Sequence, residues 1–249
     1  MLFTLPALIL DKIQIKEIDY LVTLFTPRGR IKAIAKGAQK SKKRFLNLLE
    51  DLTYLRAHLR KPKKGQYLIL ERVDLFYMLE SPWRDLKRFY LFSYIAEVLS
   101  FTNPPFLRRE DFNFVVELLK EMDETPFSFE DKFFWEFKWL QICGLSPYID
   151  TCVNCGSSPK KIFYFSISKG GLLCFSCKDL SVTGLTFKQI DLLRKIGRIK
   201  KLKEAKEFMT SLSAEERKDL FSLIENFFLY HFNWEPKSLR VMRENNALR

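Results

Sequence analysis

Apolar residues in the first 80 positions fall into five short clusters: PALILDKIQI, YLVTLFT, RIKAIA, LTYLRAHL and QYLILERVDLFYML. All are rich in Ile, Leu, Val, Thr and Tyr, side chains that suit a pleated, half-buried surface. In RIKAIAK, Ile31, Ala33 and Ala35 alternate with Lys32, Ile34 and Lys36, which predicts a strand with one face partly wet. Thr26-Pro27-Arg28-Gly29 separates the second and third clusters. Pro27 presets the first turn angle and Gly29 tolerates positive φ, so a tight hairpin is expected there. Pro62-Lys63-Lys64-Gly65 is a similar turn before the last strand. Five short strands in so little chain suit a small closed barrel of the OB type, and an SH3-like barrel carries the same signature.

From Ser81 the apolar period becomes helical. Ser81-Pro82 reads as a helix start, with Ser as N-cap and Pro at the first helical position. RDLKRFYLFSYIAEVLSF follows, with Leu86, Phe89, Tyr90, Ser93, Tyr94 and Val98 on one stripe. DFNFVVELLKEM and FEDKFFWEFKWLQICGL predict two further helices, set apart by Asn103-Pro104-Pro105 and Thr125-Pro126. Residues 148–184 interrupt the pattern with four cysteines, short aromatic stretches and Gly170-Gly171. Beyond them Thr186 with Gln189, and Ser213 with Glu216, fit capping boxes that each open a helix. The predicted organisation is α+β and multidomain. A five-stranded β-barrel spans 1–80, a helical domain spans 81–147 and 185–249, and a ribbon-like cysteine module spans 148–184 between its two parts.

Charge changes this picture by pointing to a partner. The chain carries 42 Lys/Arg against 30 Asp/Glu, a net charge of +12. Two thirds of that excess lies in residues 1–80, where 16 Lys/Arg face 8 Asp/Glu. A polyanion is the expected partner, nucleic acid before an anionic membrane surface. No apolar run approaches the roughly 20 residues of a membrane span. The start, MLFTLPALILDKIQI, has no basic leader, so no signal peptide is expected and the cytoplasm is the default location.

The densest basic stretch is RGRIKAIAKGAQKSKKR, from Arg28 to Arg44, with eight Lys/Arg and no acid. A solvated face normally mixes signs, so a one-sign run of this length is a candidate phosphate-binding surface. Arg28 and Arg30 fall at the hairpin tip, Lys32 and Lys36 on one side of a strand, and Lys40, Lys42, Lys43 and Arg44 in a loop. Arg60, Lys61, Lys63 and Lys64 load the next hairpin, with Arg56 before them. Tyr20, Phe25, Phe45, Tyr54 and Tyr67 are candidate platforms for stacked bases, with a core role expected for most. No base-reading set of Asn, Gln and Arg stands out, so the binding expected is sequence-independent.

Cys152-x-x-Cys155 and Cys174-x-x-Cys177 have the spacing of a zinc ribbon, each pair supplying two thiolates to a tetrahedral ion. Asn154 and Gly156 suit a tight knuckle, and IFYFSISKGGLLCF reads as a hairpin turning at Lys169-Gly170-Gly171. A redox dithiol needs one such pair at a helix start after a strand, and disulfides disagree with a cytoplasmic location. Four sulfurs close the coordination shell, so the Zn²⁺ expected here is structural, one per chain, and not catalytic. Cys143, on the preceding helix, reads as an ordinary buried residue. There is no G-x-x-x-x-G-K-[ST] and no H-E-x-x-H, and the chain has two histidines. The expectation is a binding protein and not an enzyme. The alternatives are a metal-dependent nuclease with a zinc ribbon as its clamp, which requires clustered carboxylates, and an RNA-binding factor.

DYLVTLFTPRGRIKAIAKGAQKSKKRF closely resembles the N-terminal signature of the bacterial DNA repair protein RecO family. LEDLTYLRAHLRK resembles its next strand, LQICGLSPYIDTCVNCG and GGLLCFSC its zinc-binding centre, and KSLRVMRE its tail. The resemblance implies an N-terminal OB fold, a helical domain and a zinc module. It implies a recombination mediator that hydrolyses no nucleotide, binds single- and double-stranded DNA and anneals complementary strands. It also implies that, with the partner RecR, the protein helps load RecA onto DNA coated by SSB, whose acidic C-terminal tail docks on the helical domain. The family's DNA-binding basic residues carry over to Lys32, Lys36, Lys40, Lys42, Lys43 and Arg44. The hairpin Thr26-Pro27-Arg28-Gly29-Arg30 is a little shorter than the family pattern, which sets Arg28 apart from that group. A nucleoid-associated cytoplasmic location follows from the same resemblance.

Overall fold

The structure, a computed structural model, describes residues 2–41, 43–158 and 163–245. The chain is mixed α+β and forms two compact units, Met1–Phe127 with Pro236–Arg249, and Ser128–Glu235.

The first unit is built on five strands: β1 (Leu2–Gln14), β2 (Tyr20–Thr26), β3 (Gly29–Ala35), β4 (Tyr54–Arg60) and β5 (Leu68–Tyr77). They close into a barrel in the order β1-β2-β3-β5-β4, with β1 pairing antiparallel to β4. The one parallel pair joins β3 to β5, Ala33 opposite Leu68 and Ile34 opposite Ile69. Alternation decides which side chains fill the interior. Leu5, Ala7 and Ile9 point inward from β1, Ala33 and Ala35 from β3, and Leu55, Ala57 and Leu59 from β4. Four of these are alanines, small enough to let five strands close, and Phe45 and Leu49 from the β3–β4 connection complete the packing. At the β2–β3 turn the Arg28 amide donates to Thr26 Oγ1 at 3.2 Å, and that hydroxyl donates to the Gly29 carbonyl at 2.8 Å. Gly29 has φ of 87°, which a side chain would resist.

Three helices complete this unit: α1 (Leu86–Phe101), α2 (Arg109–Glu124) and, from the chain end, α7 (Lys237–Glu244). Ser81-Pro82 opens only a single 3₁₀ turn, Ser81–Trp83, and α1 starts at Leu86. The Asp85 carboxylate caps α1 by accepting from the Lys87 and Arg88 amides. The stripe expected on α1 is also displaced. Leu86 and Phe89 are exposed, while Leu91, Phe92, Ile95 and Leu99 are buried beside Tyr94 and Val98. The helix is apolar nearly all round, so its periodicity does not single out one face. Glu97 of α1 accepts from the Lys237 and Ser238 amides at 2.9 and 2.8 Å, placing a carboxylate on the start of α7.

In the second unit α3 (Phe129–Ile142) is buried from Asp131 to Leu140, with Trp135 stacked on Trp139 at 5.3 Å. Three of its buried charges are ion-paired, Lys132 Nζ lying 2.5 Å from both Glu136 and Glu225 and Asp131 2.6 Å from Lys206, while buried Lys138 donates to Gln141 Oε1 and the Gly197 carbonyl at 3.0 and 3.1 Å. A three-stranded sheet follows in the order β7-β6-β8, made of β6 (Phe163–Ser166), β7 (Gly171–Leu173) and β8 (Val182–Leu185). α4 (Phe187–Arg198), α5 (Leu202–Met209) and α6 (Ala214–Phe232) complete the unit. The capping boxes open α4 and α6 as expected, Gln189 N donating to Thr186 Oγ1 and Glu216 N to Ser213 Oγ, each at 3.2 Å. No described helix is long and apolar enough to cross a membrane.

Candidate metal centre and cationic surface

The four paired cysteines are brought together by backbone ladders. Segment 148–153 runs against β7: Leu172 N donates to Tyr148 O at 2.9 Å and Val153 N to Leu172 O at 2.8 Å. Gly171 permits this approach, since a Cβ there would sit 2.3 Å from Tyr148 O. Cys152 thereby lies beside the end of β7, where Cys174 begins the second knuckle. Each pair turns tightly, with Gly156 N donating to Cys152 O at 2.8 Å and Cys177 N to Cys174 O at 3.1 Å. Gly156 takes φ of 73°, the conformation its place in the first knuckle requires.

The Sγ atoms of Cys152, Cys155, Cys174 and Cys177 all lie within 4.8 Å of one another. Cys155 and Cys174 sulfurs are 3.7 Å apart, far beyond a disulfide bond and close to the ~3.8 Å edge of a tetrahedron of sulfurs ~2.3 Å from a zinc ion. The residues present therefore fit a tetrahedral metal ion. Their protonation fits too. Burial opposes ionisation of Cys152, but the backbone amides of Cys174, Cys155 and Asn154 outweigh it and bring this thiol down to about 6. The Asn154 amide, 3.4 Å from Cys177 Sγ, favours the Cys177 thiolate, but the thiols of Cys174 and Cys155 outweigh it and push Cys177 up to about 11. The Ser157 hydroxyl draws Cys174 down as well, so more than one thiol of the cluster ionises readily, and a divalent cation favours the thiolate form of the set. Cys143 stands apart, buried at the end of α3 and pushed up to about 12 by that burial.

The second candidate site follows β3. Arg30 and Lys32 point outward from it and Lys36 continues the row, while Ile31, Ala33 and Ala35 face the barrel interior. Because β3 and β5 run parallel, the segments that precede them lie at the same end of the barrel. That end carries Arg28 in the β2–β3 turn and Lys61, Lys63 and Lys64 in the β4–β5 connection, with exposed Tyr67. The other end of β3 leads to Lys36, Lys40 and Lys43. Lys42 lies outside the described residues. Arg28, Lys32, Lys36, Lys40, Lys43, Lys61, Lys63 and Lys64 are exposed, and none forms an ion pair among the described residues.

Three predicted residues have partners within the protein. Arg60 Nε lies 2.5 Å from Glu71, Arg44 Nη2 donates to Lys36 O at 2.8 Å, and Arg30 donates to the Ser100 carbonyl on α1. Burial also lowers the Arg30 pKa. The sequence gives no sign of the Arg60–Glu71 pair, because a register shift between His58 and Leu59 places those two side chains together. Of the aromatic candidates, Phe25 packs on Phe112, Tyr54 on Phe76 and Phe112, and Phe45 and Tyr20 against the barrel core; Tyr67 alone is exposed.

Comparison with known proteins covers both halves of the chain. Residues 1–77 match the family model described as "Recombination protein O N terminal", and residues 84–240 the one described as "Recombination protein O C terminal". The chain is 29% identical to a "DNA repair protein RecO" of Syntrophus aciditrophicus (strain SB), over 95% of this chain and 93% of the relative. It is 29% identical to a protein of the same name from Desulfatibacillum aliphaticivorans, over 97% and 96%. With the one from Thermoanaerobacter sp. (strain X514) the identity is 32%, over 70% of each chain.

Proposed function

The chain belongs to the recombination protein O family, and we propose that it is a DNA-binding recombination mediator in DNA repair. The observation that carries the reading is the line formed by Lys32 of β3 and the cations of the connections at both of its ends, none of them in an ion pair among the described residues. The strand order and the parallel β3–β5 pair support taking the barrel as an OB fold, an architecture that lays nucleic acid across one face. Arg28, Lys32, Lys36, Lys40, Lys42, Lys43, Lys61, Lys63 and Lys64 contact phosphates on single- or double-stranded DNA and release counterions. Arg30, Arg44 and Arg60 shape this surface and add less to affinity, because each already holds a partner. Tyr67 is the aromatic placed to stack on a base.

Annealing follows from charge. Phosphates neutralised on one strand repel a second strand less, and complementary bases then pair without any bond being made or broken by the protein. The chain hydrolyses no nucleotide in this role. Together with RecR it helps load RecA onto SSB-coated DNA, with the acidic SSB tail docking on the helical part, in the cytoplasm and at the nucleoid. Cys152, Cys155, Cys174 and Cys177 hold one structural Zn²⁺, which closes the two knuckles; these residues leave no position open for a reacting water.

A strand-annealing assay tests the reading. Complementary oligonucleotides mixed with the protein are expected to pair at least about tenfold faster than alone, with no nucleotide added and with SSB present or absent. Annealing no faster than the protein-free rate would refute it.

A further inference from the structure

The same unit carries a cleft of opposite character to the cationic line. It has a volume of about 290 Å³ and lies between the β1 bulge, the turn at residues 50–53, the segment 78–83 and the start of α1. Asp11, Glu50 and Asp51 stand along it against a single ammonium, that of Lys12, which pairs with Glu50 at 2.6 Å. Of its apolar lining, Leu52, Leu79 and Phe92 are buried, while Trp83 and Phe89 stand strongly exposed at 72% and 49%. Leu86, three residues from each of them, is also exposed, at 64%. Thr53, which also lines the cleft, is 1% exposed, and its hydroxyl has no hydrogen-bond partner among the described residues.

We propose that this cleft docks a short segment of a partner protein in which a large apolar side chain is flanked by lysine or arginine. Phosphate chains are repelled by the carboxylates, so DNA is not its occupant. A volume at the low end of the ~300–1,000 Å³ of small-ligand sites takes one or two side chains. The exposed row of Trp83, Leu86 and Phe89 reaches beyond what a small molecule could cover, and exposed aromatics of this kind are interface anchors. The apolar side chain enters over Trp83 and Phe89, and the flanking cations meet Asp11 and Asp51. The protein packed around Asp51, then the neighbouring Asp11 and Glu50, push its carboxyl up to about 6 against the pull of Lys12, although the residue keeps solvent access. Segment 78–83 and α1 bring no titratable group to the lining. A cationic ligand therefore binds more tightly once Asp51 is ionised.

Fluorescence anisotropy with the full chain and a labelled peptide, acetyl-Lys-Arg-Leu-Phe-Lys-Lys-amide, tests this. Saturable binding is expected, with affinity rising between about pH 5 and pH 7. Trp83→Ala, at an exposed position, is expected to weaken it about tenfold without moving the melting temperature. Asp51→Asn is expected to weaken it and to flatten the pH dependence, and saturating oligo-dT is expected not to displace the peptide. Equal affinity for acetyl-Lys-Arg-Ser-Ser-Lys-Lys-amide, displacement by oligo-dT, or an unaltered affinity in Trp83→Ala would overturn the proposal. So would concentration-dependent dimerisation abolished by Trp83→Ala, which makes a second copy of this chain the occupant.

Discussion

Cys155→Ser is expected to take the zinc content from about one per chain to none and to open the two knuckles at Cys152–Cys155 and Cys174–Cys177. The three strands around the centre are only four, three and four residues long, too short to form a stable sheet by themselves. Part of their support comes from α6, where Phe227 packs edge-on against Phe165 and His231 Nε2 bonds the Ile167 carbonyl at 3.0 Å. The sheet is therefore expected to survive while both knuckles come apart, a loss of several kcal/mol given that structural zinc contributes ~10–16 kcal/mol in small zinc-finger peptides. Elemental analysis and limited proteolysis read the two effects. Oligonucleotide affinity is expected to stay within about twofold, since the cationic line lies on the other compact unit. A variant with unchanged melting and unchanged proteolysis would show that the cysteines brace nothing.

Lys32→Glu with Lys36→Glu is expected to weaken oligo-dT binding about a hundredfold near 0.1 M salt. Each unit charge ~4 Å from a phosphate is worth about 1 kcal/mol in water, so two reversals exchange two attractions for two repulsions, less the screening. The loss is expected to be similar for all base sequences. Arg60→Gln combined with Glu71→Gln gives the internal comparison. It removes a pair held at 2.5 Å and leaves net charge unaltered, so affinity is expected to stay within about twofold. Equal losses in the two double variants would mean that the unpaired lysines have no special part in binding.

The two sites were legible in the sequence to different depths, for physical reasons. Two Cys-x-x-Cys pairs specify their own chemistry, because the bite of each pair is set by covalent spacing. The contact that brings the pairs together was not legible, since it depends on Gly171 lying against Tyr148 O, a tertiary approach. Strand alternation and the Thr26–Gly29 turn announced the barrel locally. The exposed or paired state of each cation was hidden, because Arg60 meets Glu71 through a register shift and Arg30 reaches a carbonyl 70 residues away. Among the helices, α5 and α7 were not foreseen. Their N-caps, Lys201 and Pro236, offer no side-chain capping bond, so the usual start signal is missing. Asp85, not Ser81, caps α1, because its carboxylate accepts from two helix amides while Ser81 opens a single tight turn.

In the proposed role, Arg28 and the lysines along β3 and its flanking connections grip the sugar–phosphate chain. Affinity for oligo-dT measured across about 50 to 200 mM salt tests it most directly. Neutralising about six phosphates on a single strand predicts a log–log slope near −4. A slope near zero would contradict it, since binding would then owe nothing to these charges.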